Sequence, residues 1–278
     1  MDAPSGPGEL AELRLLLDRL WRAYAAENPQ VAQIHALLAG AGEVVVHDHL
    51  ALRTWGDPRC DIDVLARPFV RAGYRPAGSY RFADKRLVAR HFEHDDPDLP
   101  LVFISELVLG DVSPGLQDTV KSLLSQVPGD TFDAPDLCAR GRPWQVSRAE
   151  VEQLRRESEY AAWLAAFGWR ANHFTVSVNA LSGLGDLARL NQFLKDHGLP
   201  LNAAGGEIKG SPAQGLEQSS TLADLVDVAF TDGTSTVPSC YYEFARRYPR
   251  ADGRLFRGFI EGSADKLFES TDRPGAAR

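Results

Sequence analysis

Val44-Val45-Val46-His47-Asp48-His49-Leu50-Ala51-Leu52-Arg53-Thr54 is the stretch from which the fold is read. It has the character of a β-strand. Side chains at i and i+2 share a face, so His47, His49 and Arg53 fall together while Leu50 and Leu52 point the other way. Two later stretches alternate in the same manner. In Asn172-His173-Phe174-Thr175-Val176-Ser177-Val178, the residues His173, Thr175, Ser177 and Asn179 stand against Phe174, Val176 and Val178. In Cys240-Tyr241-Tyr242-Glu243-Phe244-Ala245, Glu243 lies opposite Tyr242 and Phe244.

Working outward, the elements fall into a repeated order. Residues 8–40 carry a helical pattern of Leu10, Leu13, Leu16, Leu17, Leu20, Trp21 and Tyr24, broken at Asn28-Pro29 and closed by Gly40 and Gly42. The strand at 43–54 is followed by a predicted helix over 58–72, ending at Gly73, and by strands near 74–82, 85–93 and 100–109. That is a βαβββ unit. Residues 112–168 read as mostly helical, with Ser113-Pro114 and the capping-box pattern Ser147-Arg-Ala-Glu150 as start signals. The order then recurs: strand 172–179, helix 183–198, and strands near 200–209, 223–231 and 239–246. The expected class is α+β, with two βαβββ units forming a curled sheet around a cleft. The expected segments are 1–42 (helical), 43–110 (first unit), 111–170 (helical insertion) and 171–271 (second unit and tail), within one compact domain.

Composition narrows the function classes. At 278 residues, with 44% hydrophobic and 24% charged residues, the chain is ordinary for a globular protein with a real core. A net charge of −8 argues against non-specific nucleic-acid binding and against an anionic membrane surface. The three cysteines, Cys60, Cys138 and Cys240, are widely spaced and form no CxxC, which suits a reducing, cytoplasmic setting. The acidic, Pro/Gly-rich start does not read as a signal peptide, and no apolar run is long enough to suggest a membrane span.

Two histidines and a carboxylate from three strands can converge on one point, and that donor set suits a divalent first-row metal with open coordination positions. His49, His173 and Glu243 are the leading candidates. His47 competes with His49, and Glu106, in Ile104-Ser105-Glu106-Leu107, competes with Glu243 or orients a ligand imidazole. Arg53 shares the face of His49 at about 13 Å along the strand. A short dicarboxylate fits that gap, one end at the metal and the other in a guanidinium fork; a strand-end ion pair with Asp61 or Asp63 is the simpler role for Arg53. Thr175 and Ser177 are candidate substrate contacts. Lys209 and Arg170 are further cations expected to face solvent, and His91 and His94 are expected in a solvated turn beside Asp95-Asp96-Pro97-Asp98.

The motifs His49-Leu-Ala-Leu-Arg53-Thr, Phe103-Ile-Ser-Glu-Leu107, Asn172-His173-Phe-Thr and Tyr242-Glu243-Phe, with the tail Gly258-Phe-Ile-Glu-Gly-Ser-Ala-Asp-Lys-Leu-Phe-Glu-Ser-Thr271, resemble the 2-oxoadipate dioxygenase/decarboxylase (hydroxyglutarate synthase) family. The resemblance covers about residues 40–110 and 170–271. It implies a vicinal-oxygen-chelate fold, Fe(II) held by His49, His173 and Glu243, and substrate held by Arg53. It implies O2-dependent conversion of 2-oxoadipate to 2-hydroxyglutarate and CO2, a step of lysine breakdown. The chain departs from the characterised branch in being shorter after the Glu243 position. Two other readings keep the same residues: a non-oxidative isomerase or hydrolase using Zn2+ or Ni2+ as a Lewis acid, and a non-catalytic protein that binds a small acid.

Overall fold

The computed structural model describes residues 6–262. In chain order its elements are α1 (Pro7–Ala26), α2 (Pro29–Gly40), β1 (His47–Trp55), α3 (Ile62–Arg71), β2 (Arg75–Phe82), β3 (Leu87–Glu93) and β4 (Leu101–Leu107). Then come α4 (Pro114–Ser125), α5 (Arg148–Arg155), α6 (Glu159–Phe167), β5 (Ala171–Ser177), α7 (Leu187–Asp196), β6 (Lys209–Ser211), β7 (Leu216–Ser220), β8 (Leu225–Phe230), β9 (Gly233–Pro238) and β10 (Glu243–Arg247). The architecture is mixed α+β. Among the described residues two compact units are distinguished: one takes residues 6–24, Ala51–Asn172 and Asp227–Val237, and the other takes Ala25–Leu50, His173–Val226 and residues 238–262.

The first unit shows the βαβββ order directly. Its strands lie in the order β2-β3-β4-β1, with β2, β3 and β4 joined antiparallel. Helix α3 forms where expected but starts later, at Ile62. Asp61 caps it by accepting from the Val64 N–H, and the Glu106 carboxylate accepts from the Ile62 N–H at 2.9 Å. Leu65 and Phe69 from α3 and Val102, Ile104 and Leu107 from β4 are buried together in the core of this unit. Both helix-start signals of the insertion are realised. Ser113 caps α4, and Ser147 and Glu150 form the reciprocal capping box of α5. After Glu159, helix α6 is buried at every residue from Tyr160 to Phe167. Gly168, at φ +70°, ends it against Gly141, where an added Cβ would meet the Gly141 oxygen at 2.2 Å. Only a residue without a side chain fits there.

The second unit holds β5 parallel to β10, β10 antiparallel to β7, and β7 antiparallel to β6. Its strand positions correct the sequence reading. Residues 200–208 form no strand beyond the isolated Leu201–Thr221 bridge, and the pairing strands are β6 and β7. Gly210 (φ +82°) and Gly215 (φ +86°) flank the turn between them. β7 escaped notice because it buries Gln218, Ser219 and Ser220 and so lacks an apolar alternation. The predicted strand near 223–231 exists as β8, but it pairs with β9 in a separate two-stranded sheet. Nothing in the tail motif beyond Gly262 lies within the described residues.

The chain enters β1 through a carboxylate knot. Glu43, itself buried, accepts from the Ser182 N–H (2.6 Å) and hydroxyl (3.0 Å) and from the Gly183 (2.6 Å) and Leu184 (2.7 Å) N–H groups. Burial pushes its pKa up, but the three backbone donors outweigh that and hold it below the usual value. A depressed carboxylate adds stability above its unfolded pKa and loses it as pH falls through the folded value. Glu43→Gln is therefore expected to lower the unfolding midpoint by a constant amount above about pH 4.5. The gap to the unsubstituted protein should narrow below that pH. Thermal melts across pH 3–7 check this, and a gap that does not narrow contradicts it.

Candidate metal centre

Within the second unit, three strands deliver three donors to one place. His49 comes from β1, His173 from β5 and Glu243 from β10, where Glu243 is in register with Thr175 of the parallel neighbour. All three are buried, and one ligand atom from each lies within 4.8 Å of the other two. Glu243 Oε1 is 3.3 Å from His49 Nε2, and Oε2 is 3.5 Å from His173 Nε2. Donors at the usual 2.0–2.2 Å from a metal stand roughly 3–4 Å from one another, so the set needs little movement to close on an ion. Two neutral nitrogens and one carboxylate oxygen, three donors in all, suit a divalent first-row metal with positions left for substrate.

The electrostatics follow from burial. Taking Glu243 out of water alone would raise its pKa, but the charges of His173 and His49 reverse the sign and lower it. Burial alone would lower the His49 pKa, yet Glu243 and Asp48 raise it overall. The carboxylate thus favours the charged form of the neighbouring imidazole. A divalent cation held by His49, His173 and Glu243 would supply the compensating charge in its place, with both imidazoles neutral.

A second layer fixes the donors. The Asp48 carboxylate accepts from His49 Nδ1 at 2.7 Å, which leaves Nε2 to face the site. Burial would raise the Asp48 pKa, but the Arg247 guanidinium beside it holds the carboxyl well below the carboxylate range. Arg247 donates to both Asp48 oxygens, at 2.7 and 2.8 Å. Gln218 Nε2 donates to Glu243 Oε1 at 2.6 Å, and the Thr175 hydroxyl lies 3.0 Å from His49 Nε2. Tyr241 stacks on the His173 ring at 4.7 Å, and Phe259 stands edge-on to His49 at 4.8 Å. Two of the donors are thus each packed against an aromatic ring.

The competing candidates are placed elsewhere. His47 packs on Phe174 at 5.0 Å, and its Nε2 lies 3.2 Å from the Tyr242 hydroxyl, so it keeps company with residues that alternate against His173 and Glu243. It is the first residue of β1, where strand pairing no longer enforces alternation. Glu106 tethers the start of α3 and meets no ligand imidazole. Lys209 and Arg170, expected in solvent, are both buried. Lys209 Nζ donates to the Asn202 carbonyl at 2.7 Å, and Arg170 donates to the Ala23 carbonyl at 3.2 Å. His91 is likewise no turn residue: it is buried in β3, 2.8 Å from the Tyr80 hydroxyl. Arg53 belongs to the first unit, buried with its guanidinium 5.0 Å from the Tyr160 ring and 4.9 Å from the Trp163 ring. Asp61 and Asp63 are engaged away from it, as the α3 cap and in an ion pair with Arg90. Ser177 ends β5 and donates its N–H to the Val46 carbonyl.

Asp48, Gln218, Arg247 and Phe259 were missed by the sequence reading. Arg247 had a visible signal, since it shares the parity of Glu243 along β10. Gln218 had none, because its strand was not recognised.

Repeated βαβββ elements here carry a buried two-histidine, one-carboxylate cluster that could hold a metal ion. The family model described as 2-oxoadipate dioxygenase/decarboxylase matches residues 16–129 and 136–256, and the chain belongs to that family. A 2-oxoadipate dioxygenase/decarboxylase of Arabidopsis thaliana chloroplasts is 37% identical over 285 residues, covering 93% of this chain and 77% of that one. The crystal structure of the Oryza sativa hydroxyglutarate synthase in complex with 2-oxoadipate is 32% identical with a TM-score of 0.89, over 98% of this chain and 96% of that one. A Shewanella frigidimarina crystal structure described as a hydrolase is 48% identical with a TM-score of 0.85, over 89% and 97%. The expectation of a shorter chain holds against the Pseudomonas putida hydroxyglutarate synthase structure, of which 60% is matched, and not against the rice structure, of which 96% is matched.

Replacing Gln218 by Leu keeps the volume and removes the donor to Glu243. Loss of such an outer contact typically weakens metal binding by about 10–100-fold. Calorimetric titration with Co(II) is expected to show a loss in that range together with a lowered melting midpoint of the metal-free protein, and an unchanged affinity contradicts the role given to Gln218.

Proposed function

We propose that this enzyme is an Fe(II)-dependent dioxygenase/decarboxylase that converts 2-oxoadipate to 2-hydroxyglutarate and CO2. The observation that carries the reading is the buried His49, His173 and Glu243 cluster in a chain of this family. The reaction balances without a second organic substrate: one 2-oxoadipate and one O2 supply every atom of one 2-hydroxyglutarate and one CO2. Iron, when bound, supplies the redox chemistry with O2 that no side chain of the cluster offers.

The chain's own residues bind, orient and exclude water. His49, His173 and Glu243 are the metal ligands in this reading. Asp48 holds the His49 tautomer that presents Nε2, and Gln218 fixes the rotation of the Glu243 carboxylate. The Thr175 hydroxyl, already 3.0 Å from a ligand nitrogen, and Ser177 two residues on are assigned to the substrate's polar end. Arg53 is assigned to the distal carboxylate. It lies on the same strand as His49, and its stacking on Tyr160 and Trp163 fixes the fork that a carboxylate requires. Holding the far end of the chain decides which C–H bond is presented for reaction. A place in lysine breakdown and a reducing compartment accompany this reading.

Anaerobic loading with Fe(II), addition of 2-oxoadipate and admission of O2 is expected to consume one O2 per 2-hydroxyglutarate formed. Uptake with a different 2-oxo acid keeps the site and moves the substrate. No uptake with any 2-oxo acid, despite bound metal, contradicts the oxidative reading and favours hydrolase or isomerase chemistry at the same ion. Arg53→Met is expected to raise KM for 2-oxoadipate by tenfold or more, given about 1.5–3 kcal/mol for a charged hydrogen bond. It should leave a monocarboxylate such as 2-oxohexanoate unaffected, and equal losses on both acids contradict the assignment of Arg53.

A further inference from the structure

Arg247 does two things with one guanidinium. Its Nε and Nη2 donate to the two oxygens of Asp48, the carboxylate that orients His49. Its Nη1 donates to the carbonyl oxygens of Phe256 and Gly258, both at 2.9 Å. The same group lies 5.3 Å from the Phe259 ring, and that ring stands edge-on to His49. The Arg247 backbone is in turn pinned by Asn179, whose side-chain amide accepts from the Arg247 N–H at 2.8 Å and donates to its carbonyl at 2.9 Å.

The segment that Arg247 grips is seated in a prepared groove. The Phe256 N–H donates to the Tyr248 carbonyl, and Phe256 packs where a Cβ on Gly215 would sit, 2.8 Å away. Ile260 approaches Gly210 to 3.3 Å of a Cβ position in the same way. Both glycines have positive φ, so the β6–β7 turn keeps its shape and leaves room for the two side chains. Residues 256–260 thus form a strap over this unit. The strap meets the donor cluster through Phe259 directly and through Arg247 and Asp48 indirectly.

We propose that Arg247 is a positioning residue that couples the seating of the 256–259 strap to the orientation of His49, so that metal binding and strap order reinforce each other. The inference rests on the metal-site reading above. A guanidinium shared between a ligand's orienting carboxylate and two strap carbonyls cannot lose one set of partners without relaxing the other. Coupling of this kind is reciprocal: if the seated strap favours metal, bound metal must favour the seated strap by the same factor. Lysine at this position keeps the charge but lacks the fork that reaches both sets of acceptors.

The test is Co(II) titration, read from the visible absorption of the bound ion, together with hydrogen exchange of the peptide spanning residues 254–262 in metal-free and Co(II)-loaded protein. In the unsubstituted protein Co(II) is expected to slow exchange in that peptide. In Arg247→Lys, Co(II) affinity is expected to fall about 10–100-fold, and the metal-dependent slowing to disappear, while β5 and β10 amides stay protected. Phe259→Ala, which leaves Arg247 and Asp48 in place, should shift the Co(II) spectrum less than Arg247→Lys does. Co(II) binding with no change of exchange at 254–262 in the unsubstituted protein overturns the coupling, and this arm stands even if the variant does not fold. So does an Arg247→Lys protein whose Co(II) affinity stays within twofold. Failure of the unsubstituted protein to bind Co(II) at all overturns the metal-site reading and the coupling with it.

Discussion

The buried Glu243 carboxylate is the constraint on which the rest of the structure depends. An ion taken out of water costs several kcal/mol unless it is paired and hydrogen-bonded. Glu243 meets that requirement with two imidazoles and the Gln218 amide, each from a different strand. The parallel pairing of β5 with β10 sets His173 near Glu243, and the antiparallel pairing of β10 with β7 sets Gln218. The register of the second unit is therefore written into the chemistry of one side chain. A slip of one residue would carry Glu243 to the apolar face.

A second buried charge follows from the first. His49 must present Nε2, which requires an acceptor at Nδ1; that acceptor is Asp48, and its own charge is compensated by Arg247. Each ion in this series is satisfied by the next, and the series ends on backbone carbonyls of the 256–258 segment. The donor cluster and the chain's last described segment are thus one polar network. The glycines of the β6–β7 turn serve it by making space for Phe256 and Ile260.

Much of this was legible in the sequence, and the parts that were not have physical reasons. The first βαβββ unit and the strands of His49, His173 and Glu243 were visible because each strand buries an apolar face against a polar one. The second unit was only half visible. β7 is a buried strand made of Leu216, Glu217, Gln218, Ser219 and Ser220, and polar residues satisfied by neighbours leave no periodic signature. The parity rule failed at His47 because a strand's first residue is not held on both sides. It also hid Asp48, which alternation assigns to the opposite face from His49, although a side chain adjacent in sequence reaches Nδ1 from there. Lys209 and Arg170 were read as solvent-facing because lysine and arginine are mostly exposed, yet both are buried and each donates to a backbone carbonyl.

The oxygen balance of the reaction offers the most direct test of the central claim. Decarboxylation removes two oxygens from 2-oxoadipate, and 2-hydroxyglutarate needs two more than then remain. In this account both come from O2. Turnover of 2-oxoadipate by the Fe(II)-loaded enzyme under 18O2 in ordinary water should give 2-hydroxyglutarate carrying two labelled oxygens. Unlabelled product under 18O2, with both new oxygens entering instead from 18O-enriched water, would contradict a dioxygenase and leave O2 only the role of electron acceptor.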